Sequence, residues 1–183
     1  MPSLKEIDEM LLELAKKIKE SKFEPDILIG ISRGGLIPAA VLSDRLNVES
    51  EIVGVEYYSG VKETKKRPEI TQQILSDLDG KKVLIVDDVA DMGHSLQLVK
   101  DYIKKKGVKE MRVCTLHYKP WSIVKPEYFL KETEAWIIYP WEIKETVIDL
   151  IKKLKERGLT ESEAKVLIQK KGVPKKVIDN FLG

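Results

Sequence analysis

What the 183-residue sequence has little of narrows the field first. A single cysteine, Cys114, excludes an internal disulfide and any cysteine-rich zinc site, and two widely spaced histidines, His94 and His117, leave little for a metal centre built on imidazole. Any metal here would be a hard cation held by oxygen. No apolar run approaches the roughly 20 residues of a membrane span, and the first 20 residues alternate charged with apolar side chains where a signal peptide is continuously apolar. The expected location is the cytoplasm, with no membrane partner. Neither sign of charge is in excess: 32 Lys and Arg stand against 30 Asp and Glu, a net charge of +2, which argues against a nucleic-acid protein relying on a broad basic surface. With 43% hydrophobic residues the chain can bury a real core, so disorder is excluded as well.

What is present reads as strands alternating with helices. Ser3 and Glu6 form a capping-box pattern, and Leu4, Ile7, Leu11, Leu14, Ala15 and Ile18 recur at helical spacing, predicting a helix to about Glu20. The run Asp26–Ile31 is too short for a helix and lies between Pro25 and Gly34-Gly35, which predicts a buried strand; a helix over Leu36–Leu46 follows. Further strands are expected at Glu51–Tyr58, Ile70–Leu75, Lys82–Val86, Met111–Leu116 and Ala135–Ile138, with helices at Ser95–Lys105 and Glu142–Arg157. Between Tyr58 and Pro68 the chain is polar and basic, and a mobile loop is expected there. The expectation is an α/β domain over residues 1–158, with a mainly parallel five-stranded sheet flanked by helices. Thr160-Glu-Ser-Glu163 and Pro174 then open two short helices, so residues 159–183 are expected to form a C-terminal helical hairpin appended to it.

The chemistry concentrates in Val83–Ser95, which reads VLIVDDVADMGHS: a buried strand, two carboxylates, a short turn and a helix start. In open α/β sheets ligands collect at the carboxyl ends of strands. Successive backbone N–H groups from Asp91 to Ser95 at a helix N-terminus suit a phosphate, with Gly93 allowing close approach and Ser95 adding a hydroxyl. Asp87 and Asp88 would face opposite ways in a continuing strand. At the strand's end the chain is expected to turn so that both serve one ligand, and paired carboxylates beside a phosphate suit sugar hydroxyls and Mg²⁺.

This segment resembles the signature of the phosphoribosyltransferase family, with Met92 where threonine is usual and His94 where a small residue or lysine is usual. Two further segments resemble its 6-oxopurine branch. Ile31-Ser32-Arg33-Gly34-Gly35-Leu-Ile-Pro-Ala is similar to a pyrophosphate loop, whose arginine fork matches phosphate oxygens. Leu116-His-Tyr-Lys119-Pro120 and Ala135-Trp136-Ile137 look like base-binding segments. A lysine ammonium donates to an exocyclic O6 and would not suit the 6-amino group of adenine, and Trp136 offers a face for stacking.

The resemblance implies transfer of the 5-phosphoribosyl group from phosphoribosyl pyrophosphate to guanine, xanthine or hypoxanthine, with Mg²⁺ as cofactor, in a homo-oligomer, dimer or tetramer. It assigns Asp91 to proton transfer with the purine, and Asp87, Asp88, Ala90, Met92, Gly93, His94 and Ser95 to ribose and phosphate. Asp87 and Asp88 also serve the metal. Ser32, Arg33, Gly34, Gly35, Lys66 and Arg67 fall to pyrophosphate, and Lys119, Trp136 and Ile137 to the base. The same fold could instead serve adenine or another base, or a non-catalytic regulator sensing phosphoribosyl pyrophosphate. By contrast Trp121 and Trp141 read as core or rim aromatics, and His117 and Cys114 as packed core residues. Asp91 could also cap the helix that follows it.

Overall fold

A computed structural model describes residues 1–58, 67–170 and 172–182. The described chain divides into two compact units, one of residues 7–134 and one that joins residues 1–6 with the chain from 135 onward.

The first helix, α1 (Leu4–Glu20), begins at the expected capping box. The Ser3 hydroxyl accepts the Glu6 N–H at 3.2 Å while the Glu6 carboxylate accepts the Ser3 N–H at 2.7 Å, so two of the unpaired donors of the first turn are satisfied reciprocally. Its buried residues Ile7, Leu11, Leu14, Ala15 and Ile18 form one face.

The larger unit holds a six-stranded sheet made of β1 (Ile27–Ser32), β2 (Ser50–Tyr58), β3 (Arg67–Gln72), β4 (Lys82–Ala90), β5 (Glu110–Tyr118) and β6 (Tyr128–Glu132), in the order β3-β2-β1-β4-β5-β6. All pairs are parallel except β2 with β3. The helices α2 (Leu36–Leu46) and α3 (His94–Lys104) cover opposite faces. Ile27, Ile29, Ile31, Val83, Ile85 and Val113 pack with Leu96, Val99 and Ile103 of α3, whereas a Cβ on Gly30 would meet Ala39 of α2 at 2.8 Å. A parallel sheet buried on both faces explains why β1 and β4 read as continuous apolar runs.

The sheet thus has the expected α/β, mainly parallel character, but is six-stranded and not five-stranded. Strand β6 was not anticipated, and residues 135–138 are not a strand. Pairing supplies the reason: β6 runs beside β5 up to Tyr118↔Glu132, and the Thr133 N–H still reaches the Tyr118 carbonyl at 3.0 Å. The β5–β6 ladder ends at the Tyr118↔Glu132 pair, short of residues 135–138. Strand β3 lies earlier than expected because the Glu51 carboxylate takes the N–H groups of Leu75 and Ser76, at 2.5 and 3.1 Å, out of any ladder. Pro68 is tolerated because β3 is an edge strand.

In the smaller unit, α4 (Ile143–Glu156), α5 (Glu161–Lys170) and α6 (Lys175–Leu182) share one apolar cluster of Val147, Ile151, Ala164, Ile168, Val173 and Ile178. A second capping box, Thr160 with Glu163, starts α5. The hairpin of α5 and α6 is therefore docked on α4. Among the described residues no helix is long and apolar enough to cross a membrane.

Candidate active site

The chain leaves β1 to build β2 and β3 on one side, then returns through β4 to build β5 and β6 on the other. The crevice at such a reversal, outside the carboxyl ends of β1 and β4, is where open α/β sheets bind ligands. Two of the segments singled out from the sequence end there: residues 32–35 close β1 and residues 91–95 close β4.

Gly35 is fixed by space. A Cβ there would lie 2.2 Å from the Val86 carbonyl oxygen and 2.6 Å from the Ile31 nitrogen, so only glycine lets the loop pass against β4. Gly34 is fixed by the carboxylates: its absent Cβ would meet Asp88 Oδ1 at 2.5 Å and Asp87 Oδ1 at 2.6 Å. Both acids converge on this one glycine. The turn expected at them from the sequence does not occur; β4 runs on through both to Ala90, with Asp87 opposite Thr115 and Ala90 opposite Tyr118 of β5. Asp88 is buried and Asp87 half-buried, and Asp87 Oδ1 accepts the Asp88 N–H at 3.0 Å. Convergence comes from the bare backbone of Gly34, beside which both side chains place an oxygen. Ser32 is half-buried and Arg33 exposed, joined by a cis peptide bond.

After β4, Asp91 and Met92 are exposed and Gly93 adopts a left-handed φ of 81° before α3. A Cβ on Gly93 would meet Ser122 Oγ at 2.6 Å and the Val124 nitrogen at 2.9 Å, so the turn is pressed against the segment after β5. The first helical bond runs from Gln97 N–H to Gly93 carbonyl, and the N–H groups of His94, Ser95 and Leu96 precede it at the positive end of the helix. Ser95 donates its hydroxyl to Tyr57 Oη at 3.0 Å, a contact that no sequence pattern announced. Asp91 does not cap α3: the N-cap is Gly93, without a side-chain bond.

The Asp91 carboxylate is engaged elsewhere. Its Oδ1 accepts the indole N–H of Trp121 at 3.0 Å, and the Lys119 ammonium lies 5.5 Å from the centre of the same indole ring. Backbone bonds tie the two loops: Lys119 N–H to the Ala90 carbonyl at 3.0 Å and Ile123 N–H to the Met92 carbonyl at 3.2 Å. Asp91 and Lys119 are thus brought together, and Trp121, read from sequence as a core or rim aromatic, is the residue between them. The signal that could have found it is its place two residues after Lys119 in a Pro-containing loop.

His117, on β5, is buried, and burial, reinforced by the positive charges of Lys131 and Lys119, pushes its imidazole down from 6.5 to about 4. A depressed histidine is neutral in the fold and takes up a proton on unfolding. The stability it contributes is complete above pH 6.5 and is lost as pH falls toward 4, with a slope of up to about 1.4 kcal/mol per pH unit. Urea titrations between pH 7 and 4 are expected to show that slope, and His117→Gln to flatten it. Cys114 is buried on the same strand, and burial pushes its thiol upward, which suits a packing residue better than a nucleophile.

Of the remaining expected site residues, Lys66 lies outside the described residues, and Arg67 is exposed at the start of β3. Trp136 and Ile137 belong to the smaller unit. Trp136 is 72% exposed and lines a cavity of about 210 Å³ with Glu142, Glu145, Thr146, Asp149, Leu150 and Lys153, while Ile137 is half-buried.

Comparison with known proteins points to the family that the sequence motifs resemble. The family model described as phosphoribosyl transferase domain matches residues 3–149. The chain is 30% identical to the xanthine-guanine phosphoribosyltransferase of Gluconobacter oxydans over 118 residues, covering 63% of this chain and 67% of that protein. Among solved structures it is similar to a purine phosphoribosyltransferase from Pyrococcus horikoshii, with 40% identity, a TM-score of 0.70, and coverage of 76% of this chain and 91% of that one. It is also similar to the xanthine-guanine-hypoxanthine phosphoribosyltransferase of Helicobacter pylori, at 25% identity and a TM-score of 0.68, covering 80% of this chain and 96% of that one.

Proposed function

The chain belongs to the phosphoribosyltransferase family, on its 6-oxopurine branch, and from that membership we propose that it transfers the 5-phosphoribosyl group of phosphoribosyl pyrophosphate to N9 of guanine, xanthine or hypoxanthine. The observation that carries the proposal is the convergence of Asp87 and Asp88 on Gly34 between two anion-suited loops, beside a turn that carries Asp91.

In this reading the turn formed by Ala90, Asp91, Met92, Gly93, His94 and Ser95 receives the 5-phosphate on backbone N–H groups and the Ser95 hydroxyl. Met92 supplies no hydroxyl, so the backbone donors and Ser95 carry more of the binding. Asp87 and Asp88 accept the ribose hydroxyls. The pyrophosphate falls to Ser32, Arg33 and the Gly34-Gly35 backbone, with Lys66 and Arg67 as further cations.

The donor set also fits Mg²⁺. Two carboxylate oxygens flank a cradle that a single Cβ would fill, and hard oxygen ligands in that small number suit an ion that keeps its waters and arrives with phosphates. Asp87 and Asp88 would hold it, and when bound it supplies neutralisation of the leaving pyrophosphate.

The bond from C1′ to the pyrophosphate oxygen breaks, its electron pair leaving with the anion, while N9 forms the new bond to C1′. Positive charge on the sugar ring is greatest between the two events, and the Arg33 guanidinium and loop N–H groups stabilise the departing anion. Asp91 accepts the purine proton at N7, which makes the base a better nucleophile. Lys119 donates to O6, and the family resemblance assigns Trp136 and Ile137 to the base as well. The end of the family match at residue 149 supports a catalytic domain within residues 1–158, with residues 159–183 as an appendage; a cytoplasmic homo-oligomer belongs to the same proposal.

Pyrophosphate release measured with guanine, xanthine, hypoxanthine and adenine is the test. Turnover is expected with one or more of the first three and little with adenine. Lys119→Ala is expected to raise KM for the oxopurine by about tenfold or more, the cost of a charge-assisted hydrogen bond, with the donor KM unchanged. Adenine as the better substrate of the unaltered protein would overturn the O6 argument.

A further inference from the structure

We propose that Trp121 is the positioning residue of the site, fixing the proton acceptor Asp91 and the base donor Lys119 on one rigid side chain; the inference rests on the roles assigned to those two residues above. As a packing aromatic Trp121 is poorly explained, since it is 46% exposed. Its contacts are specific. An indole nitrogen can only donate, and this one donates to Asp91 Oδ1 at 3.0 Å. That bond fixes the rotation of an otherwise exposed carboxylate and aims its second oxygen. The face of the ring lies 5.5 Å from Lys119 Nζ, within the range of a cation–π attraction.

Lys119 is buried whereas Asp91 is exposed at a loop tip, and an unanchored carboxylate there would hold N7 poorly in register with the O6 that Lys119 meets. A planar indole touching both removes that freedom. The backbone keeps the indole itself in place: Trp121 stands two residues after Lys119, whose N–H is bonded to the Ala90 carbonyl, and precedes Ser122, whose N–H is bonded to the Lys119 carbonyl at 3.0 Å. Loss of register, even by about 1 Å, costs as much as a hundredfold in rate.

Two substitutions separate the two contacts. Trp121→Phe keeps an aromatic face for Lys119 and removes the N–H to Asp91, so kcat is expected to fall by about tenfold to a hundredfold with KM for the oxopurine within about twofold. Trp121→Leu removes both contacts and is expected to raise that KM by about tenfold in addition. In an Asp91→Ala background, Trp121→Phe should cost nothing further, because its effect runs through Asp91. A merely structural tryptophan would instead lower stability and give the same loss in both backgrounds, and that result would overturn the proposal. Full kcat in Trp121→Phe would overturn it alone and leave phosphoribosyl transfer standing. An unaltered protein inactive with all four bases would overturn the functional reading and this inference with it.

Discussion

Replacing Asp91 by Asn is expected to lower kcat by about a hundredfold to ten-thousandfold while leaving KM for phosphoribosyl pyrophosphate nearly unchanged, the range that general acid–base groups contribute. The substitution is almost isosteric, and an amide oxygen can still accept the Trp121 indole N–H found at 3.0 Å. What it removes is basicity: an amide cannot take the purine proton. Stability should not follow, because α3 is capped by Gly93 and not by the Asp91 side chain, so no helix-capping energy of about 1 kcal/mol is lost. Steady-state kinetics beside a thermal melt separate the two. Wild-type turnover would remove Asp91 from the chemistry, and a melting temperature that fell in step with kcat would recast it as a structural residue.

That Asp91 could be singled out at all shows how much of the site is written locally. The strand, the turn and the helix start of Val83–Ser95 lie in one continuous stretch, and the glycine, carboxylates and hydroxyl proposed for phosphate and sugar sit within a few residues of each other. The helices were legible for the same reason: α2 has the expected bounds, and both capping boxes form with the predicted partners. Features set by pairing across the sheet were not. Strand β4 extends to Ala90 because β5 continues beside it to Tyr118, and β6 exists because β5 has an open edge at Cys114–Tyr118. Nothing within either segment's own pattern reports the length of its neighbour. The bond of Trp121 to Asp91 was out of reach of the sequence for a related reason: the two lie 30 residues apart and meet through the packing of one loop on another. Tyr57 meets Ser95 across 38 residues in the same fashion.

The adjacent glycines of the β1 loop should separate fold from chemistry. Neither has a left-handed φ, so each is required for space alone and alanine tests that space directly. In Gly35→Ala the new methyl would sit 2.2 Å from the Val86 carbonyl oxygen and 2.6 Å from the Ile31 nitrogen. Both are backbone atoms of central strands, and no side chain can move aside, so β1 and β4 would have to part. The expected loss is above about 4 kcal/mol, enough to unfold a domain of ordinary stability. In Gly34→Ala the methyl would meet Asp88 Oδ1 at 2.5 Å and Asp87 Oδ1 at 2.6 Å, and these are carboxylate ends that can rotate. The protein should fold, with both acids driven from the point on which they converge, and kcat/KM should fall by about a hundredfold or more because sugar and pyrophosphate lose their common anchor. Urea titration and donor kinetics on both variants give the contrast. A Gly35→Ala protein as stable as the parent would contradict the close approach of the loop to β4. A Gly34→Ala protein with full activity would mean that the carboxylates need not meet there, and the assignment of ribose and metal to them would fall.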